Sequence, residues 1–252
     1  MTDTTQDEAM DLLGIPVGIG ITADSFCEML GTSCFVSFVN PSAWALAKRR
    51  PEYVEYLRAM THVLPDGQGV VVAAKILATK DLQRLSFDMS SLAPPFFLRV
   101  VEKQASIFLI GGKPGVDEEV GAKLQNNFQG LKIVGSEHGF GEFESKINAV
   151  LAAVPDVVIV AMGAPRQEGF LVALRDAGFK GMAVTCGGFF DQYLQADVYY
   201  PVWINRWHLR WAYRLYREPK RLWRRYLLDY PYFVFLVLQG VYNSRTKVRP
   251  VT

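Results

Sequence analysis

Apolar runs of strand length recur between residues 34 and 188, and each is followed by a stretch whose apolar positions repeat at helical spacing. The runs are CFVSFVN (34–40), HVLPDG (62–67), SIFLIGG (106–112), LKIVG (131–135), DVVIVAMG (156–163) and GMAVTCGG (181–188). Most are continuously apolar rather than alternating, as expected of strands covered on both faces. SAWALAKRRPEYVEYLRAM, QGVVVAAKILAT, KPGVDEEVGAKLQNNF, EFESKINAVLAAV and RQEGFLVALRDAG read as helices. Ser42 stands where it can cap the first helix, Pro51 breaks it, and Pro114 opens the third. This alternation predicts an α/β fold, a Rossmann-like parallel sheet with helices on both faces.

After Pro201 the pattern changes. Strands stop, and RWHLRWAYRLYREPKRLWRR (206–225) begins a basic, aromatic, helical appendage. Arg206, Arg210, Arg214, Arg217, Arg221 and Arg224 follow one another at intervals of three and four, which puts them on one stripe of a helix. Trp203, Trp207 and Trp211 form an adjoining stripe, and Pro219 predicts two helices in tandem. The expected division is a Rossmann-like domain over 1–197 and a basic helical appendage over 198–252.

Charge sharpens this division. From Trp203 onward eleven Lys/Arg face only Glu218 and Asp229, a net of +9; the whole chain is +2, so the preceding 202 residues carry −7. A basic appendage on a mildly acidic domain argues against a general nucleic-acid binder. Arginine predominates over lysine there, and its planar fork suits phosphate. Arginine beside tryptophan also suits an anionic membrane interface. The longest uncharged apolar run, Tyr230 to Tyr242, is too short to span a bilayer, and MTDTTQDEAMDLLG does not read as a signal peptide. Cys27, Cys34 and Cys186 lack metal-ligand spacing and read as reduced, buried thiols.

The candidate chemistry collects at strand ends. In open parallel sheets the ligand crevice lies beyond the strand C-termini. Several strands end in glycine there, at Gly111 and Gly112, at Gly135, and at Gly187 and Gly188, which lets a ligand approach the backbone. Helix N-termini that follow favour phosphate. IGGKPG (110–115) reads equally as a phosphate loop or a plain β–α turn, and it lacks the dinucleotide fingerprint. LPDGQG displays Asp66 between Pro65 and Gly67, either as turn chemistry or as a general base at the crevice. Gln167 and Glu168 open a helix; the first could reach a sugar or base, and the second could serve the helix dipole or accept from hydroxyls. Asp191 could cap a helix or bind hydroxyls. His62, His138 and His208 share no ligand spacing, and no D-x-D pair, P-loop or G-x-S-x-G occurs, so no metal and no cofactor are expected.

In collinear order, VNPSAW, LPDGQGVV, RLSFDM, FLIGGKPGV, KIVGSEHGFG, DVVIVAMGAPRQE, CGGFFD and WAYRLYREPKRLWRR resemble the WecG/TagA/CpsF glycosyltransferases, glycosyltransferase family 26, over roughly residues 14 to 229. The resemblance implies an inverting, metal-independent enzyme. It would move a hexose-type sugar from a UDP-sugar to a polyprenyl-pyrophosphate-linked sugar in bacterial exopolysaccharide or cell-surface polymer synthesis. It implies Asp66 as catalytic base and Asn40, Arg84 and Gln167 in the donor pocket. The glycines named above, with Glu168 and Asp191, are expected beside them. Arg214, Arg221 and Arg224 would reach acceptor and phosphate from the appendage. The expected location is cytoplasmic, peripheral on the plasma membrane, without nucleic acid; self-association is compatible with the sequence. The chain departs from the family pattern at YYP (199–201), at Arg210 and at Phe87. Two rival classes are a Rossmann-type nucleotide-dependent oxidoreductase, which would need the absent fingerprint, and a non-catalytic lipid- or RNA-binding module, in which Asp66 and Gln167 would be dispensable.

Overall fold

The computed structural model describes residues 9–196, 204, 207 and 210–246. Six strands form one wholly parallel sheet: β3 (Phe35–Val39), β4 (His62–Pro65), β5 (Ser106–Gly111), β6 (Lys132–Glu137), β7 (Val157–Ala161) and β8 (Met182–Thr185). Their spatial order is β4-β3-β8-β7-β5-β6. Alternate residues on each strand feed two separate apolar clusters, because side chains alternate across a sheet. Ile107, Leu109, Val157 and Ile159 face one side; Phe108, Ile110, Val158 and Val160 face the other. This double burial is why the runs read as continuously apolar.

The first face is covered by α1 (Ala23–Glu28), α5 (Ala93–Glu102), α6 (Val116–Asn127) and α9 (Phe189–Gln195). The second carries α2 (Ser42–Arg49), α3 (Glu52–Arg58), α4 (Gln68–Ala78), α7 (Phe143–Ala153) and α8 (Arg166–Asp176), with a hairpin of β1 (Ala9–Leu12) and β2 (Ile15–Gly18). Between α4 and α5 the chain passes from one face to the other across the C-terminal end of β4, where the Leu85 N–H donates to the Pro65 carbonyl at 3.0 Å. That crossing carries Arg84, Phe87 and Asp88 over the sheet edge.

Local corrections have simple causes. Ser42 is the first residue of α2 rather than its cap. Pro41 stands at the cap position without a side-chain cap bond, and Asn40 before it ties the first turn, its Oδ1 accepting from the Ser42 N–H at 3.1 Å and hydroxyl at 2.6 Å. The helix after IGGKPG starts at Val116, behind Gly115, so Pro114 precedes it. β6 runs on to Glu137, and Gly135 therefore lies inside a strand.

The described appendage residues form α10 (Arg210–Arg217), α11 (Pro219–Arg224), a π-helical turn (Arg225–Asp229) and α12 (Tyr230–Thr246). Glu218, at φ −129° and ψ 53°, separates α10 from α11, as Pro219 predicts. The expected boundary at 197/198, with Trp203 and Arg206, lies outside the described residues. α12 packs on the domain: Phe233 is buried against Trp44, with ring centroids 4.5 Å apart, and the Trp44 indole donates to the Leu12 carbonyl at 3.0 Å. Arg49 clamps Asp229 with two bonds of 2.7 and 3.3 Å. Among the described residues no helix is long and apolar enough to cross a membrane.

Candidate functional site

A cavity of about 1490 Å³ runs along the C-terminal edge of the sheet and under the appendage. Ligand pockets for one small molecule span roughly 300–1,000 Å³, so this one has room for two substrates. It lies where connections leave neighbouring strands in opposite directions: β5 leads outward to β6, whereas β7 leads back to β8.

Asp66 stands one residue beyond β4. Val39 and Pro65 are the last register partners of β3 and β4, so Asn40 and Asp66 follow side by side. The Asp66 N–H donates to the Val39 carbonyl at 2.8 Å and extends the ladder by one bond. Gly67, at φ +109°, then turns the chain into α4, a backbone that other residues rarely adopt. The Asp66 side chain is one-third exposed to the cavity. Arg84 lies between two carboxylates, 3.9 Å from Asp66 and 3.6 Å from Asp88. Asp88 is held in turn by the Ser90 N–H at 2.8 Å and hydroxyl at 2.6 Å.

On the β5–β7 side, Gly111 allows the two strand ends to meet: a Cβ there would fall 2.5 Å from the Ala161 Cβ. Gly112 and Lys113 line the cavity beyond it, followed by the N-terminus of α6. Gly139, Phe140 and Gly141, in the loop after β6, also line it. Arg166 fastens this loop by donating to the carbonyls of Gly139 and Gly141, and the Phe140 N–H donates to His138 Nδ1 at 3.2 Å. Gly187, Gly188 and Asp191 line the cavity from the β8 side, together with Cys186. All three cysteines are free thiols.

Gln167 and Glu168 part company in the first turn of α8. Gln167 lines the cavity, whereas Glu168 points into the sheet and is completely buried. Ser37 Oγ and Gln167 Nε2 each donate to Glu168 Oε1 at 2.8 Å; Oε2 has no partner among protein atoms. Thr185 donates to Ser37 at 3.2 Å, and Gln167 Oε1 accepts from the Gly163 N–H at 3.1 Å. Burial pushes the Glu168 carboxyl above its ordinary range, against the hydrogen bonds from Gln167 and Ser37. The expectation that Glu168 meets ligand hydroxyls directly is corrected: it braces Gln167 from beneath.

Two further expectations change. Gly135 lies away from the cavity, where a Cβ would strike the Phe108 ring at 2.4 Å, so its lack of a side chain serves packing. Arg224 also lies off the cavity, with its guanidinium 5.9 Å from the Trp223 ring, while its neighbour Arg225 lines it. The expected stripe counted residues straight through Pro219; the break at Glu218 shifts the helical phase between Arg217 and Arg224. The side chains of Arg214, Arg221 and Trp211 lie outside the described ones.

Sequence reasoning missed Asp88, Lys113, Phe140, Arg166, Arg225 and Tyr226 as cavity residues. All but Tyr226 stood inside quoted motifs, yet none was singled out as a site residue. Phe87, a departure from the family pattern, is buried among Phe96, Phe97 and Phe189, at centroid distances of 5.6 to 6.0 Å, and forms part of the cavity wall. Among the described residues no three His, Cys, Asp or Glu side chains gather as metal ligands.

The profile of the glycosyl transferase WecG/TagA/CpsF family matches residues 10–247. The chain belongs to this family. It is 31% identical over 219 residues to the N-acetylglucosaminyldiphosphoundecaprenol N-acetyl-beta-D-mannosaminyltransferase of Bacillus spizizenii, covering 86% of this chain and 82% of the relative. The enzyme of the same name from Bacillus subtilis is 31% identical over 214 residues, covering 84% and 81%. The UDP-Gal:alpha-D-GlcNAc-diphosphoundecaprenol beta-1,4-galactosyltransferase of Shigella boydii is 30% identical over 203 residues, covering 79% and 83%. The family match spans the sheet, the residues that line the strand-end cavity and the described helices of the appendage.

Proposed function

We propose that this glycosyltransferase moves a hexose-type sugar from a UDP-sugar to a sugar carried on polyprenyl pyrophosphate, with inversion and without a metal ion. The observation that carries the reading is the juxtaposition of Asp66 with Arg84, Arg225 and the glycine-ended strands around one cavity. The relatives' names supply the acceptor chemistry, a sugar on diphosphoundecaprenol.

An acceptor hydroxyl attacks the anomeric carbon of the donor as the bond to the UDP oxygen breaks. Asp66 accepts the hydroxyl proton, and the electron pair of the broken bond passes to the β-phosphate. A single displacement places the new bond on the opposite face of the ring. Charge grows on the departing UDP. The Lys113 ammonium, the N-terminus of α6 and Arg225 are the groups positioned to meet it. Asn40 lies beside Asp66 to orient the reacting hydroxyl, and Arg84 holds the carboxylate in place. Exposed Trp223, Leu227, Leu228, Phe235 and Tyr242, on the basic appendage, support peripheral contact with the cytoplasmic face of the membrane.

The test is transfer by the purified protein from a panel of UDP-hexoses to N-acetylglucosaminyl pyrophosphoryl lipid, with the product anomer read by NMR. The expected product has inverted configuration and forms in excess EDTA. Retained configuration, or activity lost to EDTA and restored by Mg²⁺ or Mn²⁺, would refute those parts of the reading. Thermal stabilisation by NAD, with none by UDP and no sugar transfer, would favour the oxidoreductase class instead.

A further inference from the structure

The cavity changes character along its length. Beyond the end of β4 it is lined by Asp66 and Arg84; along α4 and α12 it is lined by Val72, Ile76, Val234 and Leu238. These two helices run side by side in the same direction. Phe233 lies near Gly69 at one end, where a Cβ on Gly69 would be 3.9 Å from the ring, and Gly240 meets Leu77 at the other, where a Cβ would be 3.0 Å from Leu77.

Helical spacing then makes a trough. Ala73 and Val237 line its floor. Val72 and Ile76 stand one turn apart on one wall, and Val234 and Leu238 stand one turn apart on the other. All four wall residues line the cavity, yet they are 46%, 54%, 55% and 64% exposed. Scattered exposed apolar residues are ordinary; a paired row continuous with a polar reaction site is not. The trough begins where the Asp66–Gly67 turn enters α4 and follows that helix for about 12 Å to Ile76, at 1.5 Å per residue.

We propose that this trough binds the hydrocarbon chain of the acceptor, specifically the prenyl segment nearest the pyrophosphate. The proposal rests on the transfer reading above for the identity of the head group. A substrate with a sugar, a pyrophosphate and a prenyl chain in linear order fits a cavity in which the Asp66–Gly67 turn leads directly into the apolar trough along α4, with Arg49, held by Asp229 just before α12, lining the same cavity. The enzyme therefore lifts the first part of the lipid tail out of the bilayer and uses it to set the register of the acceptor sugar against Asp66. Chain length and branching near the pyrophosphate become specificity determinants, read by α4 and α12.

The test measures binding by calorimetry in detergent-free buffer, below any micelle concentration. The probes are two N-acetylglucosaminyl diphosphates, one a methyl ester and one carrying two isoprene units. Burial of two methylene groups corresponds to about tenfold in affinity, so the prenyl probe is expected to bind about tenfold tighter or more. Ile76→Gln and Leu238→Gln together are expected to bring that ratio close to one. Both positions are exposed, and an unchanged melting temperature verifies the fold. Equal affinity of wild type for both probes overturns the proposal, as does a double variant that keeps the wild-type ratio. If the double variant keeps the ratio but no longer binds plain phospholipid vesicles, the row touches the bilayer and the trough assignment is wrong. No donor is present and no turnover is read, so a failure of the transfer reading and a failure of the trough are seen in different measurements.

Discussion

Two acidic side chains serve the same cavity from opposite environments. Asp66 stands at its rim, one residue past the end of β4, with a third of its side chain open. Glu168 lies beneath its floor, wholly enclosed between β3 and the first turn of α8. Asp66 faces an arginine; Glu168 faces a serine hydroxyl and a carboxamide. Residue type is nearly the same, so distance from the sheet edge decides the role. A carboxylate beyond the edge can exchange a proton with a substrate. One below it can only hold its neighbours, and burial favours its neutral form.

The largest effect should follow from the rim. Asp66→Asn keeps the shape of the side chain but removes its capacity as a base, and transfer should fall by about 10² to 10⁴. UDP binding, read by thermal shift, should persist. Near-normal turnover would remove Asp66 from the mechanism and with it the contrast between rim and floor.

Next in size is the arginine that replaces an expected one. Arg225→Ala should reduce transfer by about tenfold to a hundredfold, the range for one charge-assisted contact. Arg224→Ala should stay within about twofold with a short-chain acceptor in solution, where anchoring plays no part. Equal losses for both would mean that lining the cavity does not separate the two arginines in function.

A smaller, structural effect should come from the clamp between α2 and the appendage. Asp229→Asn leaves Arg49 with a neutral partner and should lower stability by up to about 1 kcal/mol, since such partly exposed pairs are weak. The melting temperature checks it; a loss as large as that of a core truncation would show that the clamp organises more than its two residues.

The smallest effect tests the floor. In the unfolded chain Glu168 ionises near its ordinary value of 4.5, whereas the folded protein holds the proton to higher pH. Its contribution is therefore fully present below that ordinary value and is lost as pH rises through the folded one. Glu168→Gln imitates the protonated form, so its melting temperature should gain on wild type as pH increases above 4.5. A difference that stays constant up to pH 8 would indicate that the carboxyl is ionised without penalty.

The legible part of the protein was the part with strong periodicity. CFVSFVN, SIFLIGG and DVVIVAMG are apolar on both faces and could hardly be anything but central strands. LPDGQG placed Asp66 at a strand end because proline, aspartate and glycine together stop a strand. The β1–β2 hairpin, α1 and α5 were not read, since short or proline-rich segments carry weak period signals. APPFFLRVVE begins its helix with two prolines near the N-terminus, where their missing N–H groups cost nothing. Among site residues, Asn40, Asp66, Arg84 and Gln167 were legible through the family resemblance and motif position. Arg166, Phe140 and Lys113 stood inside quoted motifs without being singled out, because a residue on a turn or at a helix start acquires meaning only from what the fold brings opposite it.

Chain order and side-chain chemistry determined the α/β class, the strand-end location of Asp66, the break at Pro219 and the uneven charge, −7 over the first 202 residues and +9 over the rest. These follow from local sterics, from the spacing of apolar positions and from charge, all of which can be read along a line. The tertiary structure alone decided the strand order, the crossing that carries Arg84 to within 3.9 Å of Asp66, the burial of Glu168 and the exchange of Arg224 for Arg225. It also decided that α12 lies against α4 and turns a run of apolar residues into the wall of a cavity. Each of these depends on contacts between residues far apart in the chain, and on helical phase accumulated across breaks, which no local pattern specifies.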